Sequence, residues 1–153
     1  MKIKYLFPNK YKSIGWVVLI PSLILGLIIT MFNIEPAFLD WRVPTIFMDE
    51  FMGEKKLLAM TENNVLNELV GVLIIVSGLL VAFSKEKIED ELISKIRLES
   101  LTMSLFISYG LVILSTFLIY NLSYMYVLVF NLFIILILFN LIFRYRLYEH
   151  YKS

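Results

Sequence analysis

Ser84-Lys85-Glu86-Lys87-Ile88-Glu89-Asp90-Glu91-Leu92-Ile93-Ser94-Lys95-Ile96-Arg97-Leu98-Glu99-Ser100 is the densest block of charge in the second half of the chain, and apolar runs flank it on both sides. The block contains no Gly or Pro and is rich in Glu, Lys, Leu and Arg, all good helix formers. Ile88, Leu92 and Ile96 recur every four residues, the spacing of one helical face. Lys87 with Glu91, and Glu91 with Lys95, fall at the distance of helical ion pairs worth about 0.2–0.5 kcal/mol each. The spacing therefore predicts an amphipathic helix over residues 84–100. Its stripe of Ile88, Leu92 and Ile96 either packs on neighbouring helices or the lipid interface, or docks a soluble partner protein.

Working outward, the whole chain has 153 residues, 59% hydrophobic and only 18% charged, with a net charge of +1. That balance lies outside the soluble range. The charges cluster at the N-terminus, in residues 33–68, in 84–100 and after Phe143, leaving long uncharged runs between them. Such segregation is the mark of a polytopic membrane protein. The expected fold is an all-α, four-transmembrane-helix bundle with a cytoplasmic amphipathic helical extension between helices 2 and 3. Its segments are the spans 14–32, 69–83, 101–120 and 124–143, an extracytoplasmic acidic loop 33–68, the charged helix 84–100 and a cytoplasmic tail 144–153. The first span is too long for a signal-peptide core and reads as a retained anchor.

Within the spans, small and polar residues mark where helices can approach. Ser22 and Gly26 sit four apart in span one, beside a Pro21 that removes one backbone hydrogen bond. Gly71 and Gly78 share a face of span two. Ser104, Ser108 and Ser115 form a stripe on span three, and Asn131 and Asn140 stand on roughly opposite sides of span four. These residues read as helix-packing contacts or, alternatively, as the polar lining of a path through an oligomer. The short turn at Asn121 and Ser123 makes spans three and four an antiparallel hairpin.

Loop 33–68 carries seven carboxylates, Glu35, Asp40, Asp49, Glu50, Glu54, Glu62 and Glu68. It lacks the spacing and central glycine of a calcium loop and reads as solvated charge. Phe38, Trp41, Phe47, Leu57 and Met60 make it apolar enough to lie on the membrane surface, with a short helix expected over 45–60. Asn63 or Asn64 is the expected cap of the next helix.

Lys and Arg are distributed unevenly: four precede span one, four lie in 84–100 and three follow span four, against three in the acidic loop and none in the Asn121 turn. Positive-inside logic then places both termini and the charged block in the cytoplasm and the acidic loop outside. An enzyme is not expected. There is no Cys, a single His150 in a basic tail, no phosphate-binding glycine loop and no Asp, Glu, Lys, Arg or His inside the four apolar cores. No cofactor, metal or nucleic-acid partner is expected. The expected associates are the lipid bilayer, a cytoplasmic protein and a second copy of the chain.

The run Gly78-Leu79-Leu80-Val81-Ala82-Phe83-Ser84-Lys85-Glu86-Lys87-Ile88-Glu89-Asp90-Glu91 resembles small four-helix integral membrane proteins of Bacteroidota bacteria. Lys95-Ile96-Arg97-Leu98-Glu99-Ser100, Tyr5-Leu6-Phe7-Pro8, Ile14-Gly15-Trp16 and Val127-Leu128-Val129-Phe130-Asn131 share that likeness. The resemblance implies a regulatory or stress-related role and brings no catalytic residue with it. The leading expectation is a non-enzymatic regulatory, sensory or assembly partner that presents the amphipathic block to another protein. The alternative is an oligomeric channel or small-solute transporter lined by spans three and four.

Overall fold

A computed structural model describes residues 3–49 and 55–153 of the chain, and they are mostly helical. Helix α1 is Lys10–Phe32, α2 Leu66–Ala82, α3 Glu91–Leu118 and α4 Leu122–Lys152. Between α1 and α2 lie a single 3-10 turn, Ala37–Leu39, and two strands, β1 Asp40–Asp49 and β2 Lys55–Asn64. Helices α1, α3 and α4 are long and apolar enough to cross a membrane. Helix α2 is equally apolar but has only 17 residues, about 26 Å at 1.5 Å per residue. The chain divides into two compact units, Met1–Ile20 with Ile74–Ser153, and Pro21–Leu73.

In the unit Pro21–Leu73, the expected helix over 45–60 is replaced by an antiparallel hairpin. Asp40 stands opposite Asn64, Thr45 opposite Ala59 and Phe47 opposite Leu57. Trp41, Val43, Thr45, Ile46 and Phe47 are β-branched or aromatic, and such side chains fit a pleated surface better than a short surface helix. Pro44 is accommodated because a two-stranded sheet leaves one side of each strand unbonded. The carboxylates Glu50 and Glu54 lie outside the described residues. Helix α1 ends on Asn33, in the left-handed region at φ 48°, with the Ile34 N–H donating back to the Ile29 carbonyl at 3.4 Å. Asn64 caps α2 as expected: its side-chain oxygen accepts from the Leu66 N–H at 3.3 Å. Its amide also donates to the Pro36 carbonyl and to Asp40, each at 2.8 Å, tying the base of the hairpin to the start of the helix.

In the other unit, α3 and α4 pack against each other as a helical hairpin. The turn between them holds Asn121 at φ 61°, a conformation that Asn tolerates better than most residues. Beside the turn, the Thr116 and Tyr124 hydroxyls are 2.9 Å apart. The buried core joins Ala82 at the end of α2, Ile93 of α3 and Phe139, Phe143 and Leu147 of α4. Phe139 stacks on Phe83 at 5.8 Å between centroids and on Phe143 at 5.7 Å. Helix α1 approaches α2 through Gly15, where an added Cβ would stand 2.7 Å from a Val81 methyl and 3.1 Å from the Ser77 carbonyl oxygen.

Two expected boundaries move. Residues 84–100 are not one helix: 84–90 form a non-helical connector, and α3 starts at Glu91. The physical reason is Asp90, whose carboxylate accepts from the Ile93 N–H at 2.8 Å and makes it an N-cap in extended conformation. At the other end, α4 continues through the expected tail as far as Lys152.

Candidate functional site

The connector 84–90 is shaped by strand-like pairing with the N-terminus. The Phe7 N–H donates to the Phe83 carbonyl at 2.8 Å, the Lys85 N–H donates to the Phe7 carbonyl at 2.9 Å, and the Asn9 amide donates to the Lys85 carbonyl at 2.6 Å. Ser84 closes α2 by donating its hydroxyl to the Leu80 carbonyl.

Beneath the connector lies Arg97, only 2% exposed. One guanidinium nitrogen, Nη1, donates to the Ala82 carbonyl at 2.7 Å and to the Ser84 carbonyl at 3.3 Å, groups that the end of α2 leaves without helical partners. The other, Nη2, donates to both oxygens of Glu89 at 3.1 and 3.0 Å. Glu89 in turn accepts from the Glu86 N–H at 2.9 Å. The guanidinium carbon sits 4.7 Å over the Phe143 ring, adding a cation–π contact in a desolvated place. A buried charge is tolerated only when paired and hydrogen-bonded, and Arg97 meets that condition through one carboxylate, two carbonyls and a ring face. A second pair, Lys12 of α1 with Glu86, ties the connector to the first helix, both side chains being largely buried.

Around that pair opens a cleft of about 350 Å³, lined by Asn9, Lys12, Ser13, Glu86, Lys87, Ile88, Arg144 and Tyr151. No three metal-ligating side chains converge among the described residues.

The stripe expected from the sequence does not form as one face. Ile88 lies in the connector and is 68% exposed, Leu92 is exposed on the first turn of α3, and Ile96 packs against the core. The face that α3 buries is one register over: Ile93, Arg97, Ser100, Ser104 and Ser108. Ser104 donates to Leu101 on its own helix at 2.7 Å, while Ser108 donates across to the Asn131 side chain. Ser115 donates to Leu111 of α3 at 2.7 Å. Asn140 is buried and donates to the Gly78 carbonyl at 3.3 Å, while Gly78 receives Leu136 of α4, with Cδ1 3.3 Å from where a Cβ would stand. In the unit Pro21–Leu73, Ser22 is buried and Gly26 and Gly71 are half-buried.

Sequence reasoning missed Arg97 and the carboxylate that serves it, Glu89. The signal was present: Ile93, Arg97, Ser100 and Ser104 follow the four-three-four spacing of an inward face, with Glu89 eight residues before the arginine. A charge within that pattern reads as solvated unless the partner contributed by the preceding loop is known. Gly15 was likewise passed over in favour of glycines in longer small-residue spacings.

Compared with protein-family models, curated proteins and solved structures, the chain finds no match.

Proposed function

We propose that this chain is a non-enzymatic inner-membrane partner protein. It crosses the bilayer four times, holds both termini in the cytoplasm, and offers the connector 84–90 to a soluble regulatory or assembly protein. The observation that carries this reading is an exposed apolar side chain on a fixed loop. Ile88 is 68% exposed, yet the residues around it are pinned by Arg97 through Glu89 and by Lys12 through Glu86. A loop already ordered before binding loses little conformational entropy on docking, so a short apolar contact on it counts for more. Leu92, exposed on the adjoining turn of α3, extends that surface, whereas Ile96 belongs to the core and is withdrawn from it.

The channel reading draws less support. Ser108 and Asn131 bond each other and Asn140 donates to the Gly78 carbonyl, so these groups join neighbouring helices, while Ser104 and Ser115 donate to carbonyls of their own helix.

The test is crosslinking in native membranes, comparing the natural chain with Ile88→Glu and Leu92→Glu. Both positions are exposed, so both variants should keep the natural melting temperature while losing a captured cytoplasmic partner. Undiminished capture by the double variant refutes the docking surface. Orientation is checked with single cysteines in this cysteine-free chain. A cysteine at Lys56 should label from outside, and one at Lys87 only after permeabilisation.

A further inference from the structure

The cleft beside the connector has a charge pattern that the docking reading does not use. Lys12 is matched by Glu86, and Arg97 by Glu89. Arg144 and Lys87 also line or border the space, and among the described residues neither has an ion-pair partner. Two unmatched cations therefore line one cleft, with Ser13 and Tyr151 also in its lining.

The position of the cleft along the sequence is as informative as its charge. The apolar run of α1 begins at Ile14, just after Lys12 and Ser13, and the apolar run of α4 ends at Phe143, immediately before Arg144. Where two membrane-crossing helices change from apolar to charged residues at one cleft, the cleft lies at the depth of the lipid headgroups. We infer that it seats the phosphate of an anionic phospholipid, gripped by the Arg144 guanidinium and the Lys87 ammonium. A guanidinium fork suits two phosphate oxygens at once, and an ammonium serves as a point charge for a third. Glu86, on the same rim, is paired with Lys12, which offsets its charge. Free inorganic phosphate offers the same oxygens, but it lacks the acyl chains that the adjoining apolar faces of α1 and α4 can hold. The inference rests on α1 and α4 crossing the bilayer and not on the identity of any protein partner.

The experiment uses the full chain in a neutral detergent, offered equal amounts of phosphatidylglycerol and phosphatidylcholine with the same acyl chains. Native mass spectrometry counts the lipids retained. The natural chain should retain the anionic lipid preferentially, and Arg144→Gln should lower that retention about fivefold, the weight of one cation at an anionic surface. Lys87→Gln should act in the same direction, and Arg144→Lys should keep most of the retention. Arg146→Gln is the control for charge alone: Arg146 lies two residues away on α4 but donates to Glu99 at 2.9 Å and does not line the cleft. Equal retention of the two lipids overturns the proposal, as does an equal loss in Arg146→Gln. Displacement of phosphatidylglycerol by the same concentration of inorganic phosphate overturns the lipid as occupant. Arg144 is exposed, so an unchanged melting temperature in its variants keeps a binding loss distinct from misfolding. The cysteine labelling of orientation separates a failure here from a failure of the membrane reading.

Discussion

The connector 84–90 and the hairpin of β1 and β2 are both polar stretches between apolar helices, yet they are held in different ways. In the hairpin, Arg42 pairs across the strands with Glu62 at 2.9 Å, and both side chains are at least 70% exposed. Around the connector, Arg97 is 2% exposed and Glu89 19% exposed by side chain, at 3.0 Å. The distances are alike and the energetics are not. An exposed pair gains little, because water solvates each charge almost as well as its partner does. A buried charge left without its partner keeps its full desolvation penalty. The hairpin is held by its backbone ladder and β-branched residues, so its charges are replaceable. Among the described residues, the connector has as its ladder the bridge to Phe7 alone, and it depends on side chains that reach it from α1 and α3.

The sharpest way to break this contrast is Arg97→Ala. It strands Glu89 and leaves the Ala82 and Ser84 carbonyls without their donor, and it should destabilise the protein by about 3–5 kcal/mol in a detergent unfolding titration. Arg97→Lys keeps the charge but not the fork and should fall between Ala and the natural residue. If Arg97→Ala unfolds no more readily than Arg42→Ala, the difference between the two regions is wrong. Gly15→Leu comes next, because Val81 and the Ser77 carbonyl already fill the space. About 1–3 kcal/mol of overpacking is expected, read as a lower melting temperature. Ser108→Ala removes one hydrogen bond between helices and should lose only about 0.6 kcal/mol, the mean for such bonds in a membrane protein. The smallest effect belongs to Arg42→Ala, whose melting temperature should match the natural chain within error.

The α3–α4 hairpin shows how far periodicity carries. A short break around Asn121 and Ser123 between two long apolar runs leaves the chain no option but to turn back, and Asn121 at positive φ makes that turn. The acidic segment shows where periodicity stops. Its apolar residues are spaced irregularly enough to suit either period, and only the pairing of Asp40 through Asp49 with Lys55 through Asn64 selects strands over helix. The charged block failed as a continuous helix for a related reason. Asp90 suits a helix interior poorly and an N-cap well, but spacing alone does not say whether the chain breaks there.

What the sequence by itself determined is the long apolar helices of the chain. Three helices long and apolar enough to cross a bilayer, the Asn64 cap and the short turn at Asn121 all follow from local composition and the helical period. What only the tertiary structure decided is which charges are buried. Arg97 and Lys95 are two residues apart in the same helix, one enclosed by carbonyls, a carboxylate and an aromatic ring, the other exposed beside Glu99. Burial of a charge depends on partners brought together from distant parts of the chain, here Ala82, Ser84, Glu89 and Phe143, and no local window contains them all.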